Sequence, residues 1–123
     1  MSTASKLQIK EHHRVVVLDK PDDVELDLAP ASSAGSVAEV AAANAVIVFV
    51  TTEADLGTPH VESVVSAGQR DALAWVAYPK GGRRGTDLNR DTLAAQFTAR
   101  GVRPVRQISI DDTWSALRFR PSA

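Results

Sequence analysis

Two uninterrupted apolar runs limit most strongly what this chain can fold into. Residues 45–51 read AVIVFVT and are its most hydrophobic segment, and residues 14–18 read RVVVL. Runs of β-branched residues without polar alternation are typical of strands that are covered on both faces, as in parallel sheets flanked by helices. We therefore predict buried strands at both segments, with residues 45–51 as a central strand of the sheet.

Between and after these runs, several shorter signals predict further elements. Residues 24–28 alternate apolar and polar side chains, which predicts a half-exposed strand. The spacing Ser36-x-x-Glu39 matches a capping box, so a short helix is expected to follow to about Ala43. Thr58 and Pro59 predict the start of a helix.

The helix that begins at Pro59 is expected to bury its valines and to end at Gly68 in a left-handed conformation. Residues 72–78 predict a strand, and residues 89–100 predict a helix that Gly101 closes. Residues 105–110 and 114–119 are separated by only three residues, so they are expected to pair as an antiparallel hairpin.

This succession predicts an α/β fold, a three-layer, mostly parallel Rossmann-like sheet of about six strands that ends in the hairpin. Arg118, Arg120 and Pro121 would then protect an exposed edge strand from aggregation.

The composition fits one domain and excludes several kinds of site. The chain has 123 residues, which we assign to a single domain, residues 1–123, with residues 1–6 expected to be frayed. It has no cysteine, which excludes disulfides, thiolate metal sites and cysteine nucleophiles. The net charge is -1, so there is no electrostatic reason to expect binding to nucleic acid or membranes. No signal peptide or membrane-spanning run is visible, and we expect a cytoplasmic protein.

Both ends of the sequence resemble class I methyltransferases. Residues 7–10 (LQIK) and 14–19 (RVVVLD) resemble the short helix and first strand with which many of these enzymes open. Residues 73–80 (LAWVAYPK), 86–88 (TDL) and 110–117 (IDDTWSAL) are similar to the end pattern of a group of small uncharacterised bacterial proteins, which look like shortened methyltransferase domains. The resemblance covers most of the chain and is strongest from Leu73 onward.

The resemblance implies a methyltransferase-like, Rossmann-like fold, but the cofactor loop departs from the family pattern. Methyltransferases have Gly-x-Gly after the first strand, whereas this chain has Lys20-Pro21-Asp22-Asp23. Glycines let the backbone approach a cofactor closely, and a proline with two carboxylates removes that approach. We therefore expect no cofactor, and methyl transfer from S-adenosylmethionine is the less favoured chemistry.

A ligand site is expected where the loops at the carboxyl ends of the parallel strands meet, namely residues 19–23, 51–55 and 80–87. The third loop combines three cations with three glycines ahead of a helix, so it could hold a phosphate or a carboxylate. The alternative is a solvated connection without a ligand. The candidate ligand-binding residues are Asp19, Thr51, Glu53, Lys80, Gly81, Gly82, Arg83, Arg84 and Thr86.

Other titratable residues offer weaker signals. The carboxylates of Asp19, Glu53 and Asp55 could do acid–base work or hold magnesium, but turn formation and capping explain them more simply. Structural or surface roles are the favoured interpretation of all three histidines, His12, His13 and His60. We assign no catalytic residue and no metal ligand.

Trp114 and Asp111 are candidates for a contact with a partner. For Trp114, packing on the sheet is the simpler interpretation, and Trp75 is expected in the core.

Three functions remain open. The preferred one is a non-catalytic methyltransferase-like module that binds a protein partner or a small anion at the carboxyl edge of the sheet. The alternative is a small enzyme that acts on a phosphorylated or nucleotide substrate, and the third is a structural protein that self-associates through its edge hairpin. The oligomeric state is left open.

Overall fold

The computed structural model describes residues 3–26, 28, 32–34 and 37–122, and of residues 32–34 and 37–39 it describes the backbone alone. Its α-helices and strands are α1 (Thr3–Lys6), β1 (Arg14–Leu18), β2 (Ser32–Ala34), β3 (Ala45–Phe49), α2 (Pro59–Gln69), β4 (Leu73–Pro79), α3 (Arg90–Thr98), β5 (Val102–Ser109) and β6 (Trp114–Pro121). Short 3-10 helices span Val37–Ala42, Glu53–Gly57 and Arg83–Gly85.

The strands form one open mixed sheet in the order β2-β1-β3-β4-β6-β5. Strands β1, β3 and β4 are parallel to their neighbours in this group. Strand β6 is antiparallel to both β4 and β5, and the three-residue β2 lies beside β1. The predicted α/β class is confirmed, and the predicted hairpin of the last two strands is present.

The core lies on both faces of β3. Val46 and Val48 belong to a buried cluster that includes the apolar side chains of α2 and α3. Ile47 and Phe49, which point to the opposite face, belong to a second cluster with Leu7 and other residues near the N-terminus. Successive side chains of a strand point to opposite faces, so an unbroken apolar run needs apolar cover on both sides.

The second predicted strand is misplaced. The described residues of the segment 24–28 are not in a strand, and Val24 and Leu28 are instead buried in the cluster that contains Leu7. A segment without regular secondary structure can therefore bury the apolar residues of an alternating sequence as a strand would. The neighbour of β1 on this side is Ser32–Ala34. The predicted capping box at Ser36 and Glu39 lies outside the described side chains.

The start of the chain is more ordered than expected. Thr3–Lys6 form α1, and Ala4 is buried. The backbone N–H of Leu7 donates to Thr3 O, and its carbonyl accepts a hydrogen bond from Trp75 Nε1 at 3.1 Å. This bond ties the first turn to the core residue Trp75, so a frayed start does not describe residues 3–6.

Helix α2 begins as predicted but ends differently. Thr58 is its N-cap residue and Pro59 its first residue. Gly68 lies within the helix, and a Cβ atom there would lie 3.1 Å from Val102 Cγ1. The left-handed residue after the helix is Asp71, with φ of 63°. Gly68 therefore permits close approach to β5, and the assignment of a left-handed helix end to it is wrong.

The expected exposed edge strand is also different. Strand β6 lies between β4 and β5, so Arg118 and Arg120 are on an interior strand. The edge strand on this side is β5, because the C-terminal strand is inserted into the sheet. Within the described residues, no helix is long and apolar enough to cross a membrane.

Substituting Gly68 tests the close approach of α2 to β5. We expect Gly68→Val to lower the free energy of unfolding by about 1–3 kcal/mol, because the added side chain meets Val102 in a packed core. Urea denaturation followed by circular dichroism measures this change. Gly57→Val is the matched control, since no atom lies within 4 Å of its Cβ position. Equal effects of the two substitutions would contradict the packing argument.

Candidate functional site

The three loops predicted to form the site lie together at the carboxyl edge of β1, β3 and β4, and they are bonded to one another. Thr86 Oγ1 donates to Thr51 O at 2.5 Å, and the N–H of Glu53 donates to the carboxylate of Asp87 at 2.8 Å. Both bonds join the second loop to the third. These contacts fix the position of the second loop relative to the third.

A small cleft opens between the first two loops and the start of α2. Its volume is about 170 Å³. Typical sites for cofactors and drug-sized ligands measure about 300–1,000 Å³, so this cleft fits only a small group. The residues that line it are Asp19, Phe49, Val50, Thr51, Asp55 and Thr58.

Asp19 pairs with a histidine that the sequence had not assigned to the site. Asp19 Oδ2 lies 2.8 Å from His60 Nδ1, and both side chains remain over one-third exposed. Asp19 adopts a left-handed conformation with φ of 63°, which aspartate tolerates better than most residues. Since α2 starts at the edge where β1 ends, His60 in its first turn reaches Asp19. The sequence offered one signal for this proximity, because a helix that follows a parallel strand begins at the carboxyl end of that strand.

The other two candidate carboxylates have structural partners. Asp55 Oδ2 accepts hydrogen bonds from the N–H groups of Thr51 and Thr52 at 2.8 and 3.1 Å, which stabilises the start of the 3-10 helix. Glu53 is exposed and accepts a hydrogen bond from Gln96. Within the described part of the chain, no group of three or more His, Asp or Glu residues could hold a metal ion.

The glycine loop does not bring its three cations to one point. Lys80 Nζ donates to Ser109 Oγ at 2.8 Å, toward the terminal hairpin. Arg84 pairs with Asp23 at 2.8 Å, and its guanidinium lies 5.5 Å from the centre of the Trp114 ring. Gly81 and Gly82 border open space, and Gly82 has φ of 75°.

Arg83 is the cation of this loop that is left for an external group. It is exposed, and among the described residues its side chain has no hydrogen bond or ion pair. Thr86 is committed internally, because it donates to Thr51 and also accepts a hydrogen bond from Leu88 N at 3.0 Å.

Trp114, a candidate for a contact with a partner, is buried in the core. It is 1% exposed and packs edge-to-face on Phe49, with 5.1 Å between the ring centroids. Asp111 is exposed, but its Oδ1 accepts hydrogen bonds from the N–H groups of Thr113 and Trp114 at 2.8 and 2.7 Å. Asp111 thus stabilises the hairpin turn, and Trp114 contributes little surface of its own.

A larger cleft lies at the opposite edge, where the parallel strands begin. It measures about 310 Å³, and its lining includes His13, Asn44 and Arg70. Burial, followed by the charges of His12 and Lys10, lowers the pKa of His13, whose Nδ1 accepts a hydrogen bond from Lys10 N. Asn44 Oδ1 and Arg70 Nη2 are bonded to the backbone of neighbouring segments, so both side chains have structural roles at this cleft.

Comparisons with protein-family models, with curated proteins and with solved structures found no match to this chain. Function therefore has to be inferred from the chemistry of the site.

Replacing Thr86 tests the bond between the second and third loops. Thr86→Val removes the donor to Thr51 and the acceptor for Leu88 N, so we expect a loss of roughly 1–2 kcal/mol in the free energy of unfolding. Chemical denaturation measures the loss. Thr98→Val is the control, because Thr98 is exposed on α3 and makes no side-chain hydrogen bond within the described residues. An unchanged midpoint for Thr86→Val would mean that this bond does not hold the loops together.

Proposed function

We propose that this protein is a non-catalytic methyltransferase-like module that binds a protein partner or a small anion at the carboxyl edge of its sheet. The observation that carries the proposal is the bonding between the loops of this edge and the small size of its cleft. Its loops are bonded to each other around a cleft of about 170 Å³, whereas a cofactor site would need an open and larger cavity.

The order of the elements supports the methyltransferase-like part of the proposal. The resemblance implies an end composed of a strand, a helix, a strand and a Trp-containing antiparallel partner. The chain has β4, α3, β5 and β6 in this order, with Trp114 as the first residue of β6. A three-layer, mostly parallel, Rossmann-like sheet of about six strands is the finer architecture that we propose for it.

The first loop argues against S-adenosylmethionine as the ligand. Asp19 and Asp55 place two carboxylates in the cleft, and residues 20–23 provide no glycine for a close backbone approach. Lys20 Nζ donates to the carbonyls of Pro21 and Val24, so this loop is closed on itself. A large cofactor would have to displace these contacts.

Of the two proposed occupants, the charges favour a protein partner. The two carboxylates of the cleft disfavour a small anion, and of the cations in the third loop only Arg83 has neither a side-chain hydrogen bond nor an ion pair among the described residues. Exposed groups of both signs, such as Glu53 and Arg83, are instead suited to the polar rim of an interface. Complementary charges at such a rim give specificity and speed association.

Charge reversal at this edge tests the proposal. We expect the double variant Glu53→Arg with Arg83→Glu to lose a partner that the wild-type protein captures from an extract, because two charges of the interface are inverted. Affinity capture followed by mass spectrometry identifies the partner, and its binding to each purified variant is then measured. We expect binding to weaken roughly tenfold or more.

The matched control is Lys10→Glu with Glu11→Arg, which reverses the same two charge types in an exposed segment before β1, at the other edge of the sheet. The control should keep full affinity. A partner that binds both variants as well as the wild type, or one lost only in the control, would contradict a site at the carboxyl edge.

The second candidate function is a small enzyme acting on a phosphorylated or nucleotide substrate, and the pairing of Asp19 with His60 favours it. A carboxylate that holds one imidazole nitrogen orients the ring, so that the other nitrogen can transfer a proton. The hydroxyls of Thr51 and Thr58 could position a small polar group in the cleft.

Activity assays distinguish this enzyme from the module. For the module, phosphomonoesters and nucleoside triphosphates should remain unchanged above background, and added S-adenosylmethionine should yield no methylated product. Turnover that falls at least about a hundredfold in both His60→Gln and Asp19→Asn would establish the enzyme and overturn the non-catalytic proposal. His12→Gln, which alters an exposed histidine elsewhere, is the control.

A further inference from the structure

Four arginines lie on one face of the terminal hairpin, and we call this group the arginine face. In the register of the two strands, Arg103 of β5 is opposite Arg120 of β6, and Arg106 is opposite Arg118. Residues two apart on β6 point to the same face, so all four side chains project from the same side of the sheet. Arg103, Arg106 and Arg120 are exposed, and Arg118 is half-buried.

An irregularity in β5 creates this arrangement. Arg103 and Arg106 are three residues apart, so in a regular strand they would point to opposite faces. The register shifts between Pro104 and Arg106, which leaves Val105 as an extra residue. The bulge returns Arg106 to the face of Arg103, an effect that bulges commonly have on the side chains that follow them.

The arginine face is electrostatically unbalanced. Like charges directly opposite on neighbouring strands destabilise a sheet, and here two such pairs are adjacent. Asp71 is the one carboxylate bonded to the group within the described residues, through two hydrogen bonds of 2.9 Å from Arg120. Burial and the charge of Arg120 lower the pKa of Arg118, the charge of Asp71 partly opposes this shift, and Arg106 lowers the pKa further. The structure thus maintains a local excess of positive charge.

The arginines also have donors to spare. Arg118 Nη1 donates to Gln8 Oε1 at 2.7 Å, but its Nε atom is buried without a hydrogen-bond partner. The Arg106 side chain has no hydrogen bond or ion pair among the described residues. Buried polar groups are usually satisfied, so an Nε atom without a partner among the described residues is exceptional.

Protection of a sheet edge does not explain the group. Charged residues on an edge strand prevent the strand from pairing with other chains, and this accounts for Arg103 and Arg106. Arg118 and Arg120 belong to β6, which has a neighbour on each side and needs no protection. The two interior arginines instead contact Gln8 and Asp71, and these contacts leave some of their N–H donors without a partner among the described residues.

We propose that the arginine face is a binding site for an oligophosphate, a small ligand that carries two or more linked phosphate groups. The Cβ atoms of directly opposite residues lie about 5 Å apart, and each arginine on such a pair of strands can bind a phosphate with paired N–H donors. The excess positive charge matches the several negative charges of such a ligand. An extended acidic peptide fits less well, since Pro104 and the bulge interrupt strand pairing along β5.

Asp71 limits the affinity of this site. It occupies one fork of Arg120 and contributes the opposing negative charge. Removing the carboxylate frees that fork and raises the positive charge of the arginine face, so a variant at Asp71 should bind the ligand more tightly than the wild type. Asparagine suits this position because it tolerates the left-handed φ of 63°.

Calorimetric titration with inorganic pyrophosphate at low salt tests the site. We expect the wild-type protein to bind pyrophosphate more tightly than inorganic phosphate. Arg103→Gln with Arg106→Gln should weaken pyrophosphate binding roughly tenfold or more, and Asp71→Asn should strengthen it. Both altered arginines are exposed, and melting temperatures without ligand establish that each variant is folded.

Arg14→Gln with Arg90→Gln is the control, because it removes the same charge from exposed positions outside the arginine face. It should bind pyrophosphate as the wild type does. The proposal is overturned if the wild type does not bind pyrophosphate at millimolar concentration. It is also overturned if the control alone loses binding, or if an oligonucleotide binds to the protein and pyrophosphate does not. Loss in the control alone would place the anion outside the arginine face. Neither result bears on the test with Glu53 and Arg83 at the carboxyl edge, so this site and the proposed function can fail separately.

Discussion

The five side chains of β3, Ala45–Phe49, are at most 4% exposed, so both faces of this strand are buried. A strand of this kind needs a neighbour at each edge and apolar cover on each face. Strands β1 and β4 supply the neighbours, helices α2 and α3 cover one face, and the N-terminal segment covers the other. Because α2 has to pass back across the sheet, its first turn lies at the carboxyl edge. This brings His60 beside Asp19.

The same edge is held together by bonds within the chain. Hydrogen bonds join the second loop to the third. After β1, Asp19 pairs with His60 and Asp23 pairs with Arg84. Many polar groups of this edge are therefore satisfied internally, whereas the exposed Arg83 has no side-chain bond among the described residues.

Local signals in the sequence predicted the elements that depend on burial or capping. The strands at residues 14–18 and 45–51, the helix start at Pro59 and the helix after Asn89 follow from side chains that act within a few residues. The segment 24–28 failed because the alternation of its side chains is satisfied by an irregular stretch that buries Val24 and Leu28. Gly68 failed because its role depends on Val102, a residue of a distant strand.

For the site, the sequence predicted which loops converge but not which side chains meet. The distance between Asp19 and His60 depends on where α2 crosses the sheet. Lys80 and Arg84 point to different partners. The left-handed turn at Gly82 and the 3-10 helix that follows it direct the two side chains apart. The arginine face depends on the register of β5 against β6, and a bulge in the register leaves no local mark in the sequence.

The insertion of β6 between β4 and β5 also constrains the order in which the molecule can assemble. Strand β5 pairs only with β6 in the described sheet, so after its synthesis it has no sheet edge to join until the following strand has formed. Strand β6 must in turn close the long loop back to β4, which costs chain entropy before any contact compensates for it. The hairpin therefore docks as a unit and late, and until then the edge of β4 stays open to pairing with another chain.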